Sequence, residues 1–341
     1  MIAFIIRRSI TGVVLLLAMV FVVFALFFLT PGDPARTTCG KDCTPVKLEQ
    51  VRKTLGYDKP MYQQFGMFMK GLAVGRDFPV NDAYRKQLEK SDPTLITHCK
   101  APCLGYSNRQ QATVNALMAE AAPVTISLSI VSFVIWMAIG IPAGILAAVY
   151  KGRWLDKIIV GLALVAYSMP VFFVGILLLK FLAVQWQFVP IPTYVGFLPN
   201  PLAWFGNLVL PGVTLALLFM AAYVRITRAF VLESLTEDYI RTARAKGLKQ
   251  RTVLVKHALR AAMTPLVTMA GLDFASLLAG AVITESVFTL HGLGFLAVIA
   301  NTNSDLPVLI GLVVVAGAAV VVANIIVDVL YAYIDPRVRL G

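Results

Sequence analysis

The chain has 341 residues, 58% hydrophobic and 14% charged, with a formal net charge of +12 and a mean hydropathy of +0.78. That balance lies outside the range of soluble globular domains and places the chain among integral membrane proteins. The positive charge sits largely in short segments flanking apolar runs, so it calls for no nucleic-acid partner.

The first run, "SITGVVLLLAMVFVVFALFFL" (9–29), carries no charge and is long enough to cross a hydrocarbon core ~30 Å thick as a helix. A cleaved signal peptide has a shorter apolar core and a small-residue cleavage site, and neither precedes "TPGDPA". Residues 1–30 are therefore read as a retained N-terminal transmembrane helix. Residues 31–120 are too polar to lie in the membrane and form an extracytoplasmic segment. Within it, the apolar "MYQQFGMFMKGL" (61–72) suits a helix lying at the membrane surface.

All four cysteines fall in that segment, as Cys39 and Cys43 in "CGKDC" and Cys99 and Cys103 in "CKAPC". Cysteines confined to the outer side point to disulfides, and three pairings are open. Two long-range bridges would each close about 60 residues and contribute ~4 kcal/mol in the chain-entropy model, against ~2 kcal/mol for a local bridge. Zinc is a rival reading, with His98 beside Cys99, although a three-residue gap suits zinc knuckles less well than two. Free thiols are a third.

Five more apolar runs follow, at 122–149, 158–184, 208–227, 263–287 and 307–332. Together with the first they predict an all-α polytopic membrane protein with six transmembrane helices. Arg7 and Arg8, "KGRWLDK" (151–157), the basic loop between the fourth and fifth runs and "DPRVRLG" at the end all fall on one side. The positive-inside rule puts that side, and both termini, in the cytoplasm. The core thus spans 121–335, with a cytoplasmic loop at 228–262 and a tail at 336–341. Pro142 and Pro170 sit inside runs and predict kinks. "GIPAGILAA", "AGLDFASLLAGA" and "GLVVVAGAA" supply the small residues that let helix backbones approach closely in lipid.

The loop between the fourth and fifth runs holds nine Lys and Arg from Arg225 to Arg260 against Glu233, Glu237 and Asp238. "LTEDYIRTARAKG" reads as a short helix with Thr236 as its cap and Gly247 at its end. A second helix begins near Gln250, with Val255, Ala258, Leu259, Ala262 and Met263 on one apolar face. A plain solvated loop would explain the charge. The small residues Ala243, Ala245 and Gly247 instead favour a smooth helix seated in a partner's groove. Further on, Asp273 lies well inside the fifth run and Glu285 near its outer end. Intramembrane carboxylates are costly, which makes both pathway or gate candidates.

No G-x-x-x-x-G-K-[ST] loop, H-E-x-x-H or G-x-S-x-G occurs, and "GLGFLA" follows a membrane run rather than a strand. No metal site or catalytic residue is expected.

"YIRTARAKGL…HALRAAMTP" resembles the cytoplasmic coupling loop of binding-protein-dependent ABC importer permeases, in the form found in the dipeptide and oligopeptide group. Of the general E-A-A-x-x-x-G pattern, which falls on Arg241, Thr242, Ala243 and Gly247, only the second alanine and the glycine match. Tyr239, Arg244, Ala245, Lys246, His257, Ala258 and Leu259 match the peptide variant. "IIRRSITGVVLLLAMVFVVFALFFLTPGDPA", "YQQFGMFMKGLAVGRDF", "LPGVTLALLFMAAYVRITRAFVLESL" and "DVLYAYIDPRVR" are similar to the opening, first outer segment, fourth span and C-terminus of the B-type permease of that group.

The resemblance implies a type I importer permease fold with a large outer segment after the first helix, in the bacterial cytoplasmic (inner) membrane. It implies a homologous second permease subunit, two ATP-binding cassette subunits or domains that use ATP and Mg, and an extracytoplasmic substrate-binding protein. This chain would bind no cofactor, and Tyr239, Arg241, Thr242, Ala243, Ala245, Lys246 and Gly247 would contact the ATPase. Glu285 matches the carboxylate before the family's short outer loop, while His291 stands where the family often has proline. The outer segment exceeds the minimal family pattern and is expected to dock the binding protein or gate the outer mouth. Di- and oligopeptides are the implied cargo. Similar permeases serve nickel, glutathione or oligosaccharides. A stand-alone secondary transporter, of a different class, would show more spans and internal repeats and need no docking loop.

Overall fold

A computed structural model describes residues 2–29, 33–39, 43–278 and 281–334; the tail expected at 336–341 lies outside them. In chain order the elements are α1 (Ile2–Leu29), α2 (Pro34–Cys39), α3 (Pro45–Leu55), α4 (Met61–Val74), β1 (Arg76–Phe78), α5 (Asp82–Ser91), β2 (Thr97–Cys99), β3 (Tyr106–Ser107), β4 (Ala112–Thr113), α6 (Val114–Val149), α7 (Trp154–Ser168), α8 (Val171–Leu178), α9 (Pro201–Ser234), α10 (Asp238–Ala245), α11 (Gln250–Thr252), α12 (Leu259–Leu278), α13 (Val282–Val287), α14 (Leu293–Thr302) and α15 (Leu306–Ile334). Five stretches among the described residues are long and apolar enough to cross a membrane: 6–25, 114–149, 201–234, 250–278 and 306–326. The pair α7 and α8 makes a sixth, bent by 99° at Met169 and Pro170.

The third span is thus not the single helix that its hydropathy predicts. Pro170 has no N–H to continue the ladder and restricts Met169 to extended backbone, so one helix stops and another starts. The fifth run is also broken. Its helix ends at Leu278, and Glu285 lies on the separate short α13. Pro142, by contrast, lies within an uninterrupted α6.

The chain divides into two compact units. One comprises residues 2–123 and 291–321. In it, α3 starts where the Thr44 hydroxyl accepts the Lys47 N–H and Pro45 fixes the first turn. It ends at Gly56, whose φ of 76° is left-handed. Ala35, Val51, Leu55, Phe78, Val80 and Tyr106 form a small core there. Strands β1 and β2 pair antiparallel with Arg76 opposite Cys99. Of the three possible pairings the cysteines adopt the one made of two local bridges, Cys39 with Cys43 and Cys99 with Cys103. Each bridge therefore fixes a tight loop and ties no distant segments together, and the larger entropic contribution of long-range bridges is not realised. Helix α4 covers "MYQQFGMFMKGL", but its Phe65 and Phe68 meet Phe21 and Phe24 of α1 at centroid distances of 5.5 to 6.2 Å. That face packs on protein.

In the same unit Asp305, just before α15, is fully buried and accepts a hydrogen bond from the Ser107 hydroxyl. Burial pushes its carboxyl above the usual aspartate range, against the hydrogen bonds from Ser107 and the Val308 N–H and the Arg109 charge. A folded pKa above the unfolded value of ~3.9 means that the folded state holds the proton to higher pH. The associated stability is complete below that unfolded value and is lost as pH rises through the folded one. Asp305→Asn removes a group that favours the folded state more as pH falls, and is expected to steepen the acid-side fall of the unfolding midpoint with pH. An unchanged slope would contradict the assignment.

The other unit comprises residues 124–290 and the chain from 322 onward. Leu128, Trp136, Leu208, Tyr223 and Leu266 are central to its core, with Trp136 stacked on Phe219 at 4.6 Å. A Cβ on Gly144 would lie 2.7 Å from the Val224 carbonyl oxygen and 2.6 Å from Thr227 Cβ, so α6 and α9 touch backbone to backbone. This is the close approach that "GIPAGILAA" predicts.

Candidate functional site

The loop between α9 and α12 is built around α10. Glu237 and Asp238 place negative charge at its N-terminus and Arg244 lies in its last turn, matching the helix dipole. Thr236 does not cap it. The Thr236 hydroxyl instead donates to the Glu233 carbonyl at 2.7 Å and closes the end of α9, while Glu237 occupies the cap position without a side-chain bond.

The end of α10 is a Schellman motif. Leu248 N–H donates to Ala243 O at 3.3 Å and Gly247 N–H to Arg244 O at 2.9 Å. Gly247 has φ 75°, and nothing lies within 4 Å of where a Cβ would stand. The position thus needs glycine for its backbone angle rather than for space.

One edge of α10 faces inward. Ile240 and Ala243, three residues apart, are buried against Val253 and Ala258. Tyr239, Arg241, Thr242, Ala245, Lys246 and Gly247 are exposed, as is Arg244. The structure therefore gathers six of the seven coupling candidates on the outer surface and turns the seventh, Ala243, into the seat of the helix.

The second helix of the loop departs from its expected phase. Residues Val253–Ala258 form a π-helical turn, leading directly into α12. The wider turn advances the buried face by one residue. Val253, Ala258, Ala262 and Leu266 are buried, whereas Val255, expected on the apolar face, is 57% exposed.

A further contact fastens the cytoplasmic end of this unit. The Asp156 carboxylate, near the start of α7, accepts from Arg228 Nε at 2.7 Å and Nη2 at 2.8 Å, and from the Gly152 N–H at 2.8 Å. The fork geometry is the strong form of an arginine–carboxylate pair. Seventy-two positions separate the partners, and no local pattern in "KGRWLDK" or "RITRAF" links them. Asp156 is nearly buried and Arg228 about 29% exposed. Asp156→Ala leaves the guanidinium without its partner and is expected to cost about 2 kcal/mol. The check is the melting temperature of the purified protein, with Asp156→Asn falling between the two.

The two pathway or gate candidates lie in different settings. Asp273, half-buried on α12, accepts from the Tyr223 hydroxyl at 2.7 Å. Glu285 is fully buried and accepts from the Thr125 hydroxyl of α6 at 2.7 Å. The chain turns after α13 through Leu290 N–H to Glu285 O at 2.9 Å. Tyr223 is the part of this arrangement that a search for intramembrane charges misses. No group of three or more His, Cys, Asp or Glu suited to a metal occurs among the described residues.

Helices of membrane length and one sharply bent span define a multi-pass membrane protein that presents a short basic helix on a loop. Residues 1–129 match the N-terminal part, and residues 140–340 the main part, of the binding-protein-dependent transport system inner membrane component. The dipeptide transport system permease protein DppB of Escherichia coli (strain K12) is 34% identical over 99% of both chains. A Brucella abortus (strain 2308) protein assigned to a peptide transport system as a permease is 36% identical over 99% of both. In fold, the chain is similar to the MetNI methionine ABC transporter in its inward-facing crystal form. The TM-score is 0.51 at 18% identity, covering 65% of this chain and 97% of that one.

The chain belongs to the binding-protein-dependent transport system inner membrane components. It is an inner-membrane permease subunit of an ABC importer, with the type I fold, and ATP hydrolysis resides in a separate subunit.

Proposed function

We propose that this subunit forms half of the translocation pathway of an importer for di- and oligopeptides and is driven through α10. The observation that carries the coupling reading is the two-sided character of that helix. Ile240 and Ala243 lock it to the unit's own core, while Tyr239, Arg241, Thr242, Ala245 and Lys246 point outward ahead of the left-handed Gly247. A helix held on one side and bare on the other can pass a partner's displacement to the spans as a rigid-body movement. In this reading the ATPase subunits bind ATP and Mg, a homologous permease completes the pathway and an extracytoplasmic binding protein delivers cargo. This chain holds no cofactor. Asp273, with Tyr223, is assigned to the pathway. Glu285 is assigned to the gate region as a fixed post for the 281–290 turn.

The peptide assignment is supported by the names of the relatives at 34 to 36% identity. It is tested by tagging the chain, extracting it gently from its native membrane and identifying what co-purifies. Recovery of a second permease, ATPase subunits and a binding protein is expected, with ATPase activity stimulated by the dipeptide-loaded binding protein. Recovery of the chain alone, while a control complex survives the extraction, would favour a secondary transporter. Stimulation only by nickel, glutathione or an oligosaccharide would keep the importer and overturn the cargo.

A further inference from the structure

A pocket open to solvent lies within the unit of residues 2–123 and 291–321. Phe24, Phe68 and Ile310 supply much of its apolar wall, and Tyr57, Gln64 and Arg76 are its polar members. Arg76 is the one cation among its lining residues, and no carboxylate lines it. The Arg76 Nε is buried and has no hydrogen-bond partner among the described residues. The guanidinium carbon stands 4.6 Å from the centroid of the Phe78 ring. Gln64 donates its amide N–H to the Lys59 carbonyl at 2.7 Å and, being neutral, supplies no counter-charge.

The local fold holds this guanidinium in place. Arg76 opens β1, opposite Cys99 of β2, and Cys99 is bridged to Cys103. Gly75 precedes it with φ 83°, where an added Cβ would come within 2.8 Å of the Cys99 carbonyl oxygen. Gly71 and Gly105 flank the side chain, and Cβ atoms there would stand 3.5 Å from Nε and 3.9 Å from Nη2.

A guanidinium that is fixed, stacked on an aromatic ring and without an anionic partner is arranged as one half of an ion pair. We propose that this cavity binds a small-molecule carboxylate on an apolar or aromatic body, with Arg76 as its bidentate counter-ion. One planar fork matches one carboxylate, whereas a phosphate dianion in so apolar a setting would call for further donors. The apolar wall receives the rest of the ligand. Burial draws the Arg76 pKa down to about 10, opposed by Tyr57, so the group remains cationic at neutral pH. The site does not depend on what the importer carries. The carboxylate can be the terminus of a short peptide or the head of a fatty acid, and the probes separate these sources.

The experiment uses the full chain in lipid nanodiscs and titrates N-acetyl-phenylalanine against its carboxamide, and decanoate against decanol. Each acid–neutral pair is compared by calorimetry in the unaltered chain and in Arg76→Met. At least one acid is expected to bind ten-fold or more tightly than its neutral partner, and Arg76→Met to abolish the difference. Preference for the acetylated amino acid assigns a peptide-type carboxylate, and preference for decanoate a fatty-acid type. Equal binding of acid and neutral partners, binding of neither acid, or a preference that survives Arg76→Met overturns the proposal. The acid–neutral comparison needs only the unaltered chain, so it decides even if the variant fails to fold.

Discussion

Gly247→Val in the assembled importer is expected to lower substrate-stimulated ATPase activity roughly ten-fold, while Gly247→Asn keeps most of it. The reason is the backbone. Gly247 holds φ 75° at the end of α10, and both hydrogen bonds of the Schellman motif depend on that angle. A left-handed residue with a Cβ costs ~1–2 kcal/mol, most for a branched side chain and least for asparagine. The valine variant would extend or unwind the last turn and move Ala245 and Lys246 relative to the inward anchor at Ile240 and Ala243. Within this chain space is not at issue, because nothing lies within 4 Å of the Cβ position. Stimulated turnover is measured against basal turnover at matched complex yield. Equal loss in both variants would mean that the surface of Gly247, rather than its angle, matters. No loss with valine would remove α10 from the coupling path.

Glu285→Ala is expected to cost about 3 kcal/mol, with a sharp drop in the yield of folded protein, while Glu285→Gln stays close to the parent. Removing the carboxylate empties a fully buried volume and takes away the acceptor of the Thr125 hydroxyl at 2.7 Å. Glutamine preserves the shape and an oxygen acceptor. The melting temperature and monodisperse yield of the purified chain read the effect. Thr125→Val in the alanine background measures how far the two residues are coupled, the double variant losing less than the sum of the single ones if they are. A stable Glu285→Ala protein with altered uptake would make the residue a cargo contact instead of a post.

The six membrane passages were legible because an uncharged run of about 20 residues has few other fates. What hydropathy could not show was continuity. A window across 158–184 or 263–287 averages over the 99° bend at Met169–Pro170 and over the end of α12 at Leu278. The site was read unevenly for a similar reason. Gly247 was visible because a helix end with glycine has a local signature, and the basic residues of α10 because their run is contiguous. The burial of Ala243 and the exposure of Val255 depend on the π-helical turn at Val253–Ala258, which no periodicity template contains. Asp156 with Arg228, Tyr223 with Asp273, and the open cavity at Arg76 join positions far apart in sequence or depend on what is missing around a side chain. Such features are properties of packing.

The bridges Cys39–Cys43 and Cys99–Cys103 each span only four positions, and among the described residues there is no free cysteine. Each contributes about 2 kcal/mol in the chain-entropy model and fastens nothing remote. Four substitutions, made pair by pair, thus offer a thiol-free background on which single reporter cysteines can be introduced along α10 and α12. Spectroscopic labels placed there would follow the subunit through its working cycle without competing native sulfurs.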